Sequence, residues 1–400
     1  MWRRFGDLAF AALVAVVIAA EAIPLVWLTW TVVGHIGGAG HPAALPWLLL
    51  GTVATAGAGL VVITAYLLTL HVVGTRRAAL LAEGRARWVA RWLEVLSGSE
   101  PPPPPIPREA VEALLELRDA LRGAEADRLL ALMHGYGIGD ALADRARGHR
   151  LARRLQALED LARARAPEAM PTLLAAVIDP DRRVQVAAAR AAARTLAAVV
   201  EPASRDELAE TLVRALRAGA LPFGVLEEVL LLADEAAAAM VRTILDGEAT
   251  PTFLRAALDA VGRLGLLDHA ERAAGFLGHP DPEVRAAALR AIARLSLLPP
   301  EARAAVQAAL TDPVEFVRIH AATAAALLPR EVALPALWER LGDPSWWVRR
   351  AAADALANLG RDGLAALGRA ASSHPDRYAR DMAAQALRDH VEQVVEAIAG

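Results

Sequence analysis

The sequence predicts an all-α protein in which a two-helix transmembrane hairpin precedes an array of stacked helix pairs, an α-solenoid. Three observations carry this reading. A short proline-containing unit recurs at a nearly fixed period. Its apolar residues fall at helical spacing. Two long apolar runs near the amino terminus each exceed the roughly 20 residues needed to cross a bilayer.

The recurring unit is clearest at Leu341–Gly360, LGDPSWWVRRAAADALANLG. Related segments surround Pro180, Pro280, Pro313 and Pro375, so the prolines stand 100, 33, 31 and 31 residues apart. Periods of this length indicate a repeat array, with the long step covering about three units. Asp-Pro ends one helix and opens the next, because proline is tolerated only in a helix's first turn. After it, Val348, Ala352, Ala355, Leu356 and Leu359 form one apolar stripe. The segments beginning at Val317 and Val284 match that stripe position for position. A second helix precedes each turn, over Val332–Leu341 and Glu168–Ile178 in two of the copies. Pro335 and Pro171 lie inside those stretches and should kink them.

The turn Asp followed by Val-Arg, as in Asp312 with Val317-Arg318 and Asp343 with Val348-Arg349, resembles HEAT repeats. The resemblance covers roughly Arg150 to His390 and implies a ladder in which the Asp and Arg of successive repeats bond. Gln185 stands in place of the Arg, and His279 and His374 in place of the Asp, so that ladder should be incomplete. Glu201–Gly265 is long enough for two more helix pairs but lacks the Asp-Pro signature. Phycobilin lyases and certain DNA glycosylases share this fold class, but nothing in the sequence matches their chemistry. The tail His374–Met382 loosely resembles bacterial membrane HEAT proteins that accompany family-2 glycosyltransferases. That resemblance implies a polysaccharide-synthesising glycosyltransferase as partner.

Composition excludes several chemistries. The 400 residues contain no cysteine, which rules out thiolate zinc sites and cysteine nucleophiles. They contain no lysine, which rules out a phosphate-loop Lys and Schiff-base catalysis. No nucleic-acid partner is expected, since a membrane hairpin argues against DNA repair.

In chain order, residues 1–75 are expected to form the hairpin, with spans at about 8–33 and 46–73 joined by the uncharged loop Gly34–Leu45. Arg3 and Arg4 precede the first span, and Arg76, Arg77, Arg85, Arg87 and Arg91 follow the second. The positive-inside rule then places both termini and the solenoid in the cytoplasm of an inner-membrane, multi-pass protein. Arg3-Arg4, the apolar run and Ala20-Glu21-Ala22 also resemble a cleavable signal. Residues 76–107 read as an amphipathic helix, with Leu81, Trp88, Trp92 and Leu96 on one side, and a stiff polyproline linker, Ser97–Pro107. Residues 108–149 read as a helical cap and 150–400 as the solenoid.

No catalytic, cofactor-binding or metal-ligating set is recognisable, and no small-molecule substrate is implied. His35 and His41 are too isolated to suggest a metal site. Glu21, an ionisable group inside the first span, is a candidate for intramembrane contact. The adjacent Trp346 and Trp347 point about 100° apart on a helix, so at least one should be exposed. With Arg350, and with Tyr378 and Arg380 one repeat on, they form a candidate protein-binding edge. The function expected is therefore a non-enzymatic scaffold that binds, and regulates, a membrane-associated protein partner. The alternatives are a lyase-like or other enzyme on the same fold, and a membrane-sensing receptor.

Overall fold

The computed structural model describes residues 82–103, 106–219 and 221–399, together with scattered positions between 27 and 74. Side chains are described as far as His390. The chain divides into two compact units, Met1–Leu117 and Arg118–Gly400.

In the first unit, residues 82–96 are helical (α1) and are followed by α2, Arg108–Ala120, whose last three residues belong to the second unit. Trp92 is fully buried, and its indole N–H donates to the Ala110 carbonyl at 3.0 Å. Trp88 leans on it at 5.6 Å between ring centroids, with the Arg91 guanidinium over the Trp88 ring. The apolar side of this amphipathic helix is therefore spent, at Trp92, on packing against α2.

The second unit is a helical solenoid. Its helices are α3 (Ala124–Gly135), α4 (Ile138–Ala146), α5 (Leu151–Ala164), α6 (Met170–Val177), α7 (Arg182–Leu196), α8 (Pro202–Ala218), α9 (Phe223–Leu232) and α10 (Ala237–Leu245). They continue with α11 (Pro251–Leu264), α12 (Ala270–Ala274), α13 (Pro282–Leu295), α14 (Arg303–Ala309), α15 (Glu315–Ala325), α16 (Arg330–Arg340), α17 (Trp346–Asn358), α18 (Arg361–Ser373) and α19 (Arg377–Ala399). From α5 onward every second helix packs on the next but one, so α5, α7, α9, α11, α13, α15, α17 and α19 form a continuous row. The intervening helices form the other row, where α4 packs on α6, α6 on α8, α8 on α10 and α16 on α18. The stretch without the Asp-Pro signature thus continues the array, α8 and α10 in one row and α9 and α11 in the other.

Alanine makes this stacking close. In α7, Ala188, Ala189, Ala191, Ala192 and Ala193 are all fully buried, as are Ala286, Ala287, Ala288 and Ala291 in α13. A Cβ added at Gly262 would stand 3.1 Å from Ala291 Cα, so α11 and α13 meet there nearly backbone to backbone. The predicted stripe of the last clear unit is core: Val348, Ala352 and Leu356 are fully buried.

Two sequence expectations change. Pro171 does not interrupt a helix. A 3₁₀ turn, Pro167–Ala169, precedes α6, which places Pro171 in that helix's first turn, where its missing N–H costs nothing. Pro335 does lie inside α16.

The inner-membrane, multi-pass localisation is also corrected: among the described residues no helix is long and apolar enough to cross a membrane. Most of the described helices carry charged residues along their length. The longest of them, α19 at 23 residues, carries Arg380, Asp381, Arg388 and Asp389. Apart from scattered positions, the spans expected at 8–33 and 46–73 lie outside the described residues, as do Glu21, His35 and His41.

Candidate functional site

The site grows out of the turn between the two helices of each repeat. In that turn the residue before proline accepts the backbone N–H two positions on. Asp179 does so for Asp181, Asp312 for Val314 and Asp343 for Ser345, at 2.8–2.9 Å. Where histidine stands instead, its Nδ1 takes the same role: His279 accepts from Asp281 and His374 from Asp376, both at 3.1 Å. The imidazoles therefore carry their proton on Nε2. The next residue often caps the second helix. Asp181 accepts from the Arg183 N–H, Asp281 from Glu283, and Ser345 Oγ from Trp347 and Val348.

The arginine six residues beyond the turn residue ties each turn together and links it to the next. Arg285, Arg318, Arg349 and Arg380 each donate Nη1 to the two carbonyls of their own turn. The rest of the fork reaches forward. Arg285 grips Asp312 through Nε and Nη2 at 2.8 and 2.9 Å, and Arg318 grips Asp343 at 2.9 and 3.0 Å. Bidentate pairs of this kind are among the stronger hydrogen bonds. Hydrogen bonding to Asp343 raises the Arg318 pKa above its ordinary value. Arg154 makes the corresponding bond to Asp179 near the start of the array. Gln185 reaches only its own turn, the Asp179 carbonyl at 2.7 Å.

The ladder ends at Arg349. The position that should hold its acid is His374, buried against Trp338 with ring centroids 5.2 Å apart. Arg349 Nε is buried without a hydrogen-bond partner, and its guanidinium lies over the Tyr378 ring at 5.4 Å. On the same two turns stand exposed aromatics: Trp346 at 44%, Trp347 at 62% and Tyr378 at 65% exposure. The two indoles contact each other edge to face, 4.7 Å between centroids, rather than filling the core.

The sequence-derived site residues thus separate into two groups. Trp346, Trp347 and Tyr378 lie on one edge. Arg380 is engaged in its own turn. Arg350 turns to the other side of α17, bound to Asp354 at 3.0 Å and Asp389 at 2.7 Å beside a cavity of about 230 Å³. The cation on the aromatic edge is Arg349, which sequence reasoning had placed in the ladder. The signal for it was present in His374, since losing an acid in one turn frees the arginine of the turn before. Among the described residues no cluster of three or more His, Asp or Glu is arranged to hold a metal ion.

Arg350 and Asp389 belong to a chain of charges along the row of second helices. Arg190 pairs with Glu228, and Arg263 with Glu227, at 2.7 and 2.8 Å. Buried Asp259 receives both arms of Arg290 at 3.0 and 2.9 Å, with Arg294 at 3.6 Å. His320 Nε2 faces Arg290 Nη1 at 3.4 Å. Burial first, and then the Arg290 charge, lower the His320 pKa from 6.5 to about 4. The unfolded chain therefore takes up the proton before the folded one does. This contribution to stability is complete above about pH 6.5 and is lost as the pH falls towards 4. His320→Gln is expected to flatten the fall in urea midpoint across that window. An unchanged slope would show that His320 does not produce it.

Residues 270–357 and 334–394 match the family model for HEAT repeats. No curated protein matches the chain. Among solved structures it is similar to YibA of Escherichia coli, at 16% identity over 69% of this chain and 92% of that one, with a TM-score of 0.34. An engineered protein is 23% identical over 71% and 78% of the two chains, with a TM-score of 0.26. Human deoxyhypusine hydroxylase is 20% identical over 66% and 99%, with a TM-score of 0.27. At such identities and TM-scores these likenesses carry no argument about binding or activity. The family match accords with the ladder geometry, and the chain carries HEAT repeats over residues 270–394, within an all-α solenoid of HEAT type.

Proposed function

We propose that this chain is a protein-binding scaffold rather than an enzyme, and that the turn edge of its last two repeats docks a partner polypeptide. The observation that carries the reading is the coincidence, on that edge, of three exposed aromatic side chains with an arginine fork that lacks its acid. Tryptophan and arginine are favoured anchors in interfaces. An exposed apolar surface beside a guanidinium that has no acid partner suits a segment that offers an apolar side chain next to a carboxylate.

The test is the double substitution Trp346→Ala, Trp347→Ala in the full chain, used as bait beside the wild type. Losing anchors of this kind costs about 2 kcal/mol or more, a loss of affinity of roughly thirtyfold. Because both side chains are exposed, stability should move by no more than about 0.5 kcal/mol. A partner retained equally by both baits, or a sharp drop in melting temperature, would remove this edge as the docking site. A polysaccharide-synthesising glycosyltransferase, the partner that the tail resemblance implied, is identified or eliminated by the same capture. Nothing among the described residues carries the membrane-anchored version of the reading.

A further inference from the structure

A second cluster of arginines lies at the other end of the solenoid, where the carboxyl-terminal ends of three helices meet. Arg118 is in the last turn of α2, Arg163 in the last turn of α5 and Arg194 in the last turn of α7. Arg163 binds Asp119 at 2.8 Å, which draws the end of α5 onto the end of α2. Arg165, two residues further, is thereby brought towards Arg118, and α7 packs along α5. Exposed Arg122 caps the end of α2 through the Asp119 and Leu121 carbonyls.

Basic residues at helix carboxyl termini are ordinary, since they offset the helix dipole. That does not account for two of these. Arg118 is only 6% exposed, and its Nε has no hydrogen-bond partner. Arg165 Nε is likewise buried and unpartnered. A guanidinium cannot escape burial by losing its proton, so an unpaired buried one is costly. The neighbours add to the cost. Burial, and after it the Arg165 charge, lower the Arg118 pKa below its ordinary value, and burial followed by Arg122 does the same to Arg165. Arg165 is also held at φ 52°, ψ 44°, a left-handed conformation that usually belongs to glycine at this position of a helix end. Strain of this kind persists where the surroundings impose it, and it gathers at ligand clamps.

We propose that Arg118, Arg122, Arg165 and Arg194 form a binding site for a phosphate-class dianion, either inorganic phosphate or a phosphomonoester group. Guanidinium forks match phosphate oxygens in plane and spacing. Two carboxylates that act on the cluster, Asp127 and Asp234, offset only part of its charge, and the third, Asp119, is held by Arg163. The excess is about two positive charges, and a phosphomonoester near neutral pH carries about −1.5 to −2. Arg122 is exposed, Arg165 and Arg194 are half-buried, and Arg118 is buried.

The experiment titrates the full chain with inorganic phosphate and with O-phosphoserine, by calorimetry and by thermal melting, against chloride at equal ionic strength. Phosphate or its ester should raise the melting temperature beyond chloride, and the tighter of the two identifies the source. Arg165→Gly relieves the left-handed strain, so that variant should melt no lower than the wild type in chloride. It should bind the anion about tenfold more weakly, the loss expected for one charged hydrogen-bonding fork. Arg118→Met replaces the buried charge by an apolar chain of similar length. It should fold at least as well in chloride and lose the phosphate effect. No stabilisation of the wild type beyond chloride would overturn the proposal. So would a full phosphate shift retained in both variants.

Discussion

Ala352→Arg should unfold the carboxyl-terminal repeats under conditions in which the rest of the array stays folded. Ala352 is fully buried on α17, which packs against α15, α16, α18 and α19 at once. An unpaired buried charge costs about 3–5 kcal/mol, and the added bulk in an alanine-lined seam adds to that. Whole domains are stable by only about 5–15 kcal/mol. In a repeat array each unit depends on its neighbours' interfaces, so the damage should spread to α15–α19 before it reaches α5–α11. Circular dichroism should then show two melting steps where the wild type shows fewer. Hydrogen exchange should show early loss of protection in α17. A single transition near the wild-type temperature would mean that the packed face of α17 is not where the structure places it.

Much of this fold was readable because the repeat is held by a few residue types at fixed spacing. Proline stands just before the helix N-cap, a residue with a side-chain acceptor precedes it, and the Val-Arg pair follows at fixed distance, so spacing alone locates the turn. The repeats at α8–α11 escaped that signature because their helices open differently. Glu201 caps α8, with Pro202 behind it, and Pro251 opens α11 after Thr250. Proline within a residue or two of a helix start was the common signal, with or without aspartate. Pro171 misled because the same residue type opens a helix or kinks one, and only the preceding 3₁₀ turn decides which.

The site was half readable. Trp346 and Trp347 are adjacent on a helix, and geometry forbids burying both on one stripe. Which arginine accompanies them was not readable. Arg349 and Arg350 are neighbours in sequence, but one faces the turn edge and the other faces Asp389, 39 residues on. The cluster of Arg118 with Arg165 was less visible still, because each sits near a helix end where arginine is unremarked. What sets them apart is the absence of a partner, and partners are a property of the folded chain.

Asp343→Ala should be the most damaging single change in the ladder. Asp343 is 3% exposed and receives Arg318 Nε and Nη2 as well as the Ser345 N–H, with Arg340 Nη1 at 3.7 Å. Alanine leaves Arg318 Nε and Nη2 and the Ser345 N–H without this acceptor, while Arg340 Nη1 keeps the Leu310 carbonyl at 3.2 Å. Removing one partner of a buried ion pair costs about 3–5 kcal/mol, because the other charge stays behind. Asp343→His separates the two jobs of the residue, and the chain already makes that replacement at His279 and His374. Histidine Nδ1 can still accept the Ser345 N–H, but it gives Arg318 no acid, leaving it as Arg349 is left. The His variant should therefore be destabilised less than the Ala variant, by about 1 kcal/mol, the typical net worth of one hydrogen bond. Denaturant unfolding of the three proteins measures both differences. If Ala and His cost the same, the turn bond contributes nothing. If Ala costs under about 1 kcal/mol, the bidentate rung is no stronger than an exposed surface pair, and the turn is held by its proline and its packing alone.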